Sequence, residues 1–173
     1  MTPASPTGAS RPQPTPRPSR LVSLFDRMSR LPLGRWLFAR TVCFRAPYFA
    51  TIAPRFLVLR HGRCEIAIPD RRRVHNHLGT VHAIALCNLA ELAGGMMLEA
   101  SLPPDMRWIP KGMTVEYVKK ATGTLHAVAQ PAGPITSAAE GYELPVAVDV
   151  NDAAGDTVFR ARIAMWVSPR RGT

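Results

Sequence analysis

The chain has 173 residues, of which 46% are hydrophobic, so it is long and apolar enough for one domain with a buried core and terminal extensions. Its formal charge of +10 favours nucleic acid, an anionic membrane or a phosphate-bearing ligand as a partner, although a solvated arginine-rich surface gives the same balance. The sequence has no run of 18 or more apolar residues, the pattern that predicts a membrane-spanning helix. It also has no stripe of basic residues interleaved with aromatic residues, the pattern typical of proteins that bind single-stranded nucleic acid.

The cysteines indicate the redox setting. Cys43, Cys64 and Cys87 form an odd and widely spaced set that matches neither a disulfide framework nor a zinc-binding pattern. The first residues lack the contiguous apolar stretch of a secretory signal peptide. These features predict a cytoplasmic protein with reduced thiols and no bound metal.

Two segments precede the main domain. Residues 1–20 are dominated by Pro, Ser, Thr and Arg, a composition that predicts a disordered tail. In residues 21–45, apolar side chains recur at helical spacing from Leu21 to Leu31, and a second short helix is predicted for residues 35–42. This helical arm could lie on a membrane surface or pack on the main domain, and we favour packing over membrane contact.

Residues 46–170 contain strand-like runs around one helix. Runs at 50–59 and 64–68 flank a turn at His61-Gly62, and four more follow the helix, at 114–119, 124–130, 144–151 and 157–168. The last two are joined by a hairpin loop at 152–156. The final run alternates in polarity and offers as candidate core residues Val158, Ile163, Met165 and Val167.

The helix is predicted from residue 83 to about residue 100, where Ala, Leu and Met dominate and two prolines follow. Between Ala83 and Leu98 its only strongly polar residues are Asn88 and Glu91, so we expect it to be buried. The order of elements predicts an α+β architecture, a mostly antiparallel sheet of about six strands wrapped around one central helix.

Glu91 is the first candidate for chemistry. A carboxylate among apolar neighbours is costly to ionise, and the raised pKa that results suits a general base near neutral pH. The alternative is that Glu91 lies with Asn88 and Gly95 on a solvent-facing strip of the helix.

The segment before the helix supplies the second group of candidates. Gly79 can adopt a positive φ in a turn, and His82 lies where the helix begins. The free N–H groups of Ala83 and Ile84 then point out of the helix N-terminus, where they could hold a carbonyl oxygen as it gains charge. Taken alone, Asn76 and His82 would more often serve as turn and capping residues.

The run N-x-x-G-x-x-H of residues 76–82, with a carboxylate nine residues after the histidine, resembles the hotdog-fold acyl-CoA thioesterases. It is most similar to the branch of phenylacetic-acid-pathway and hydroxybenzoyl-CoA thioesterases, and closer still to an uncharacterised branch defined by a domain of unknown function. The stretch TVEYVKKATGTLHAVAQ resembles the strand pair that follows the helix in that family. The resemblance covers about residues 45–168.

The resemblance implies a hotdog fold, acyl-CoA hydrolysis without metal or cofactor, and homodimers that often pair again into tetramers. Glu91 would be the general base or nucleophile, Asn76 would orient the attacking water or the substrate, and His82 would position the thioester. The family usually has two glycines after that histidine, one of whose amides polarises the carbonyl. Ala83 and Ile84 replace them here, which preserves the amide but reduces the space above it.

Spacing gives an independent argument for an oligomer. Nine residues of helix span roughly 13 Å, so one chain cannot easily bring His82 and Glu91 to the same carbonyl. Two subunits with antiparallel helices side by side could do so.

Basic residues could bind the phosphates of coenzyme A, foremost Lys119 and Lys120 and also Lys111 and residues 71–73. Each could equally be a solvated surface charge. Two other functions remain open: a non-catalytic acyl-thioester-binding protein, which the missing glycines favour, and a ligand-sensing regulator. We expect no nucleic acid partner, because residues 21–45 are too short for a helix-turn-helix domain with its own core.

Overall fold

Six strands form one antiparallel sheet around a long helix. The computed structural model describes residues 19–170, so the predicted disordered tail lies outside the described residues except for Ser19 and Arg20, which begin the first helix. In chain order the elements are α1 (Arg20–Ser29), α2 (Gly34–Arg45), β1 (Arg55–Arg60), β2 (Arg63–Ile68), α3 (Ala83–Ser101), β3 (Met106–Tyr117), β4 (Leu125–Pro131), β5 (Tyr142–Asn151) and β6 (Thr157–Pro169), with 3₁₀ helices at Pro47–Ile52 and Arg72–Val74.

The sheet has the strand order β1-β2-β4-β5-β6-β3, and every neighbouring pair is antiparallel. Tight turns join β1 to β2 and β5 to β6, whereas α3 carries the chain from β2 to the far edge of the sheet, where β3 pairs with β6. The predicted core residues of β6 are all buried: Val158, Ile163, Met165 and Val167. The α+β architecture predicted from the order of elements is therefore confirmed.

Two predicted strand boundaries are wrong. The first strand was expected from residue 50, but Pro47–Ile52 is a 3₁₀ helix, which Pro47 favours by fixing its own φ at the first turn. The third strand was expected from residue 114, yet β3 begins at Met106 and includes Pro110. An edge strand tolerates proline because the backbone groups on one of its sides form no hydrogen bonds with a neighbouring strand. The pairing register of β3 with β6 also shifts at a bulge between Pro110 and Gly112.

The helix α3 is enclosed by the sheet over most of its surface. By length and composition alone it could cross a membrane, but Leu89, Ala93 and Met97 have no exposed surface in the folded chain. The predicted burial is incomplete, because Ile84 is 54% exposed and Glu91 and Glu99 are also exposed. These side chains leave one narrow strip of the helix open to solvent.

Two glycines let the sheet approach α3 closely. A Cβ on Gly94 would lie 3.0 Å from Cδ1 of Ile163 in β6, and one on Gly95 would lie 2.7 Å from Cη2 of Trp108 in β3. The Trp108 indole thus lies against the backbone of α3, and its Nε1–H donates to the Glu99 carboxylate at 3.1 Å. Small residues at these two positions set the distance between helix and sheet.

We predict that Gly95→Ala lowers the free energy of unfolding by about 1 kcal/mol or more. In an open helix the change would stabilise by about 1 kcal/mol, but here the added methyl group displaces Trp108, and overpacking typically costs about 1–3 kcal/mol. Urea denaturation measures the difference. Gly112→Ala is the matched control, since a Cβ there meets no atom of residues 19–170 within 4 Å. Equal stability of Gly95→Ala and wild type would show that the indole moves freely.

The helical arm packs on the domain, as favoured from the sequence. Ser19 caps α1 by accepting a hydrogen bond from the Val22 N–H, and Phe25 of α1 is buried. The ring of Phe38 in α2 lies edge-on between Phe25 and Phe56 of β1, with both centroid distances 5.1 Å. This aromatic stack joins the arm to the main core. The outer surface of the arm keeps large apolar side chains exposed, namely Leu31, Leu33, Trp36, Leu37 and Phe44.

Candidate active site

The segment before α3 is a tight loop held by Asn76. The Asn76 Oδ1 accepts from the N–H groups of Leu78 (2.9 Å) and Thr80 (3.2 Å), and its Nδ2 donates to Thr80 Oγ1 (2.9 Å). Gly79 has a φ of +73°, as predicted, and a Cβ there would meet nothing within 4 Å. Asn76 therefore fixes the loop that leads into the helix, and its predicted role toward water or substrate stays a prediction.

His82 is the N-cap of α3. Its Nδ1 accepts a hydrogen bond from the Ile84 N–H at 3.0 Å, so a neutral His82 carries its proton on Nε2. This cap occupies one of the two amides predicted to hold a carbonyl oxygen. The N–H of Ala83 forms no hydrogen bond within residues 19–170 and remains the available donor at the helix terminus.

A cavity of about 210 Å³ opens beside this helix terminus. One wall is the start of α3, a second is the 3₁₀ helix Pro47–Ile52, and a third is the segment around Arg73 and His75. The residues that line the cavity include Tyr48, Thr51, Arg73, His75, His82, Ile84 and Asn88. Gly79 and Asn76 lie outside this lining and act on the cavity through the loop.

Asn88 places an unsatisfied polar atom at the cavity. The side chain is 5% exposed, and its Nδ2 donates to Thr51 Oγ1 at 3.1 Å. Its Oδ1 is buried and has no hydrogen-bond partner among the described residues. A buried acceptor without a partner costs about 1–3 kcal/mol, so a donor from a ligand or water would be stabilising there. In the sequence analysis Asn88 was only part of the alternative, a solvent-facing strip, from which its burial departs.

Glu91 lies one helical turn beyond Asn88, and its side chain is exposed. It does not line the cavity, and the enclosure expected around it from the sequence is absent in a single chain. Its neighbours along the strip are Cys87, one turn earlier, and Gly95 with the Trp108 indole, one turn later. The structure thus puts Asn88 and Glu91 roughly 60° apart around one helix, with the carboxylate on the open side.

Cys87 contacts the edge strand across this strip. Its Sγ lies 3.4 Å from the hydroxyl of Tyr117 in β3, and this hydrogen bond, with partial desolvation, raises the pKa of Tyr117 to about 12. Tyr117 therefore stays protonated at neutral pH. It can serve as a hydrogen-bond donor beside Glu91's helix face but not as a base.

A hydrogen bond between Asp70 and His75 secures the wall of the cavity that carries His75. The Asp70 carboxylate accepts from His75 Nε2 and, at 2.6 Å, from the Gly123 N–H. The hydrogen bond with His75 is the largest cause that lowers the pKa of Asp70, and the Gly123 amide acts in the same direction. Asp70 thus ties the end of β2 both to the loop before α3 and to the turn before β4.

We predict that this contact makes stability pH-dependent in acid. Because the pKa of Asp70 is lower in the folded chain, its contribution is present above its unfolded pKa near 4 and is lost as pH falls through the folded value. Asp70→Asn should therefore lose less stability than wild type between about pH 6 and pH 3. Urea midpoints across this range measure it, with the exposed Asp26→Asn as control. Parallel curves for wild type and Asp70→Asn would contradict the assignment.

The predicted phosphate contacts lie elsewhere. Lys119 Nζ is held between Asp152 (2.8 Å) and Asp156 (2.7 Å), so this ammonium braces the β5–β6 hairpin. Neither Lys119 nor Lys120 lines the cavity beside α3, whereas Arg73 does. Within residues 19–170 no group of three or more His, Cys, Asp or Glu side chains is placed to hold a metal ion.

The sheet wrapped around one buried helix is the hotdog fold, and the chain has the α+β class that the sequence resemblance implied. A family model described as "Domain of unknown function (DUF4442)" matches residues 34–167. The chain belongs to this family, so the resemblance to an uncharacterised branch of the hotdog proteins is confirmed. Among curated proteins no relative matches.

Solved structures share the fold. The structural-genomics protein APC5556 is 44% identical, with a TM-score of 0.75 over 88% of this chain and 100% of that chain. A protein of unknown function from Pseudomonas aeruginosa, described as "Probable Thioesterase", is 22% identical, with a TM-score of 0.67 over 81% of this chain and 97% of its own. A Haemophilus influenzae thioesterase is 14% identical, with a TM-score of 0.62 over 70% and 82%.

Proposed function

We propose that the protein hydrolyses acyl thioesters, with acyl-CoA as the substrate class, at a site that two subunits complete. The observation that carries this proposal is the cavity at the start of α3, which Asn88 with its unpartnered Oδ1 lines and Glu91 does not. The unbonded N–H of Ala83 lies at the helix terminus beside this cavity. Structural neighbours named as thioesterases support the same class of reaction.

The proposed reaction needs three groups. The Ala83 N–H, aided by the dipole of α3, holds the thioester carbonyl oxygen as it gains negative charge. Glu91 takes a proton from water, whose oxygen bonds to the carbonyl carbon. When the C–S bond breaks, the thiolate accepts that proton, and the products are a carboxylic acid and a free thiol. Asn88 Oδ1 would accept a hydrogen bond from an amide of the substrate's thiol arm.

We further propose that a second copy supplies Glu91. Among residues 19–170 no strand pairs with the outer edge of β3 along Met106–Tyr117, and long unpaired edges favour pairing with another chain. Exposed apolar residues border this edge and the open strip of α3, namely Ile84, Ile109, Tyr117 and Val118. Antiparallel pairing of β3 with its own copy would set two α3 helices side by side around a two-fold axis. A reducing cytoplasm, which three free cysteines favour, would hold both enzyme and acyl-CoA.

Replacing the base tests the reaction. We expect Glu91→Gln to lower kcat/KM on acyl-CoA by about 10²- to 10⁴-fold, because the amide cannot take a proton from water. Free-thiol release from short, long and aromatic acyl-CoAs measures it. Glu99→Gln, an exposed carboxylate on the same helix, is the matched control and should keep full activity. Wild-type turnover by Glu91→Gln would remove this residue from the mechanism.

A complementation experiment tests the shared site. Ala83→Pro removes the proposed N–H donor at the first helical position, where proline is tolerated, and His82 already has the extended conformation that precedes proline (φ −65°, ψ 140°). We expect Ala83→Pro alone to lower kcat about 10²- to 10³-fold. Co-expressed and doubly purified dimers of Ala83→Pro with Glu91→Gln should regain about half of wild-type activity, because one of their two sites is intact. Absence of recovery in a verified mixed dimer would place both groups in one chain's site.

A second function, acyl-thioester binding without turnover, has one specific observation in its favour. His82 accepts the hydrogen bond of the Ile84 amide, and Ala83 and Ile84 stand where the resemblance to the thioesterases implies two glycines. If the protein only binds acyl thioesters, acyl-CoA should raise the melting temperature of wild type and of Glu91→Gln equally, and neither should release thiol.

A further inference from the structure

A second cavity, of about 360 Å³, lies between the arm and the main domain and is rich in arginine. Its walls come from α2, the start of β1 and the segment after β2. Four arginines line it, namely Arg40, Arg55, Arg71 and Arg73, and no Asp or Glu of the described residues is part of the lining. None of the four forms a salt bridge with any residue in 19–170. The cavity therefore concentrates positive charge, and no acidic side chain in the described part of the chain neutralises it.

Arg71 is fixed in place with a donor unused. Its Nη2 donates to the Thr51 carbonyl at 3.1 Å, while its Nε is buried and has no hydrogen-bond partner in the described residues. On the opposite wall, Arg40 lies over the indole of Trp36 at 5.9 Å from the ring centroid. Held guanidinium groups with free N–H donors suit phosphate, which they bind through paired, charge-assisted hydrogen bonds.

The arginine cavity adjoins the cavity beside α3. Arg73 lines both. Thr51 also joins them, since its carbonyl accepts from Arg71 and its hydroxyl accepts from Asn88. A ligand that places its reactive end at Ala83 could therefore extend past Thr51 and Arg73 to the four arginines. The exposed face of Trp36 beside them offers a surface on which a planar base could stack.

We propose that the arginine cavity binds the phosphate groups at the nucleotide end of coenzyme A, the carrier of the acyl group. The role in catalysis rests on the proposed thioesterase function, whereas phosphate binding by this cavity does not. The helical arm then serves as one wall of a substrate site, in addition to its packing on the core. It contributes Trp36 and Arg40, two residues that the hotdog domain itself does not supply.

Binding of adenosine 3′,5′-bisphosphate to the full chain tests the site without any thioester. We expect calorimetry to detect saturable binding that weakens with salt and falls tenfold or more in Arg71→Gln. Arg40→Gln and Arg55→Gln, both at exposed positions, should weaken it also, and they keep the test valid should Arg71→Gln lose stability. Arg162→Gln, an exposed arginine on β6 outside the cavity, is the control and should bind within twofold of wild type.

Three results would overturn the proposal. These are no binding of the bisphosphate, equal weakening by Arg162→Gln, or arginine-dependent binding to phosphatidylglycerol vesicles without binding of the bisphosphate. The last would make the cavity a lipid-headgroup site. Phosphopantetheine, as a second probe, distinguishes coenzyme A from a carrier protein as the carrier of the acyl group. If it binds as tightly as the bisphosphate, the cavity is assigned to the phosphopantetheine arm of a carrier protein.

Kinetics separate this proposal from the proposed function. If thiol is released, the preference for acyl-CoA over acyl-pantetheine, as a ratio of kcat/KM, should fall at least tenfold in Arg71→Gln. An unchanged ratio would exclude the cavity from substrate binding while leaving hydrolysis established. If no thiol is released but the bisphosphate binds in an arginine-dependent manner, the hydrolase proposal fails and the phosphate site stands.

Discussion

The close packing of the sheet against α3 is the constraint on which the rest of the structure depends. Gly94 and Gly95 leave no side chain between the helix backbone and the residues of β6 and β3, so the strands curve tightly around the helix. This geometry excludes polar side chains from nearly all of α3. The two central polar residues lie where this cover ends, with Asn88 buried beside the cavity and Glu91 exposed on the open strip. The location of the candidate site thus follows from how the sheet covers the helix.

The sequence predicted the fold well where local pattern decides the structure. The bounds of α3 were predicted within a residue, because a long Ala- and Leu-rich segment followed by prolines has few other conformations. The positive φ of Gly79 was also predicted. The predicted start of the first strand was wrong, because Pro47–Ile52 is a 3₁₀ helix. The apolar run there resembles a strand, but the proline at its start favours a 3₁₀ turn. Local pattern failed again at Pro110, since an edge strand, unlike a central one, accepts proline.

The contacts that shape the candidate site join segments that are distant in the sequence, so local pattern could not predict them. Asn88 meets Thr51 from 37 residues away, and Arg71 meets the same residue from 20 residues away. No local pattern indicates which of these polar atoms remains without a partner. Of the two amides predicted to hold a carbonyl oxygen, that of Ile84 donates to the His82 ring, a local contact that is visible only with coordinates. Glu91 was predicted to be enclosed because its sequence neighbours are apolar, yet those neighbours point toward the sheet and the carboxylate points away.

The aromatic stack between the arm and β1 has a consequence for how this protein can diverge. Phe38 lies between Phe25 and Phe56, so the two arm helices and the first strand form one packed unit although they are separate in the chain. A homologue that loses the arm would expose Phe56 to solvent, and we expect such chains to carry a smaller or polar residue there. Recombination that exchanges arms between relatives should likewise succeed only when these three ring positions are inherited together.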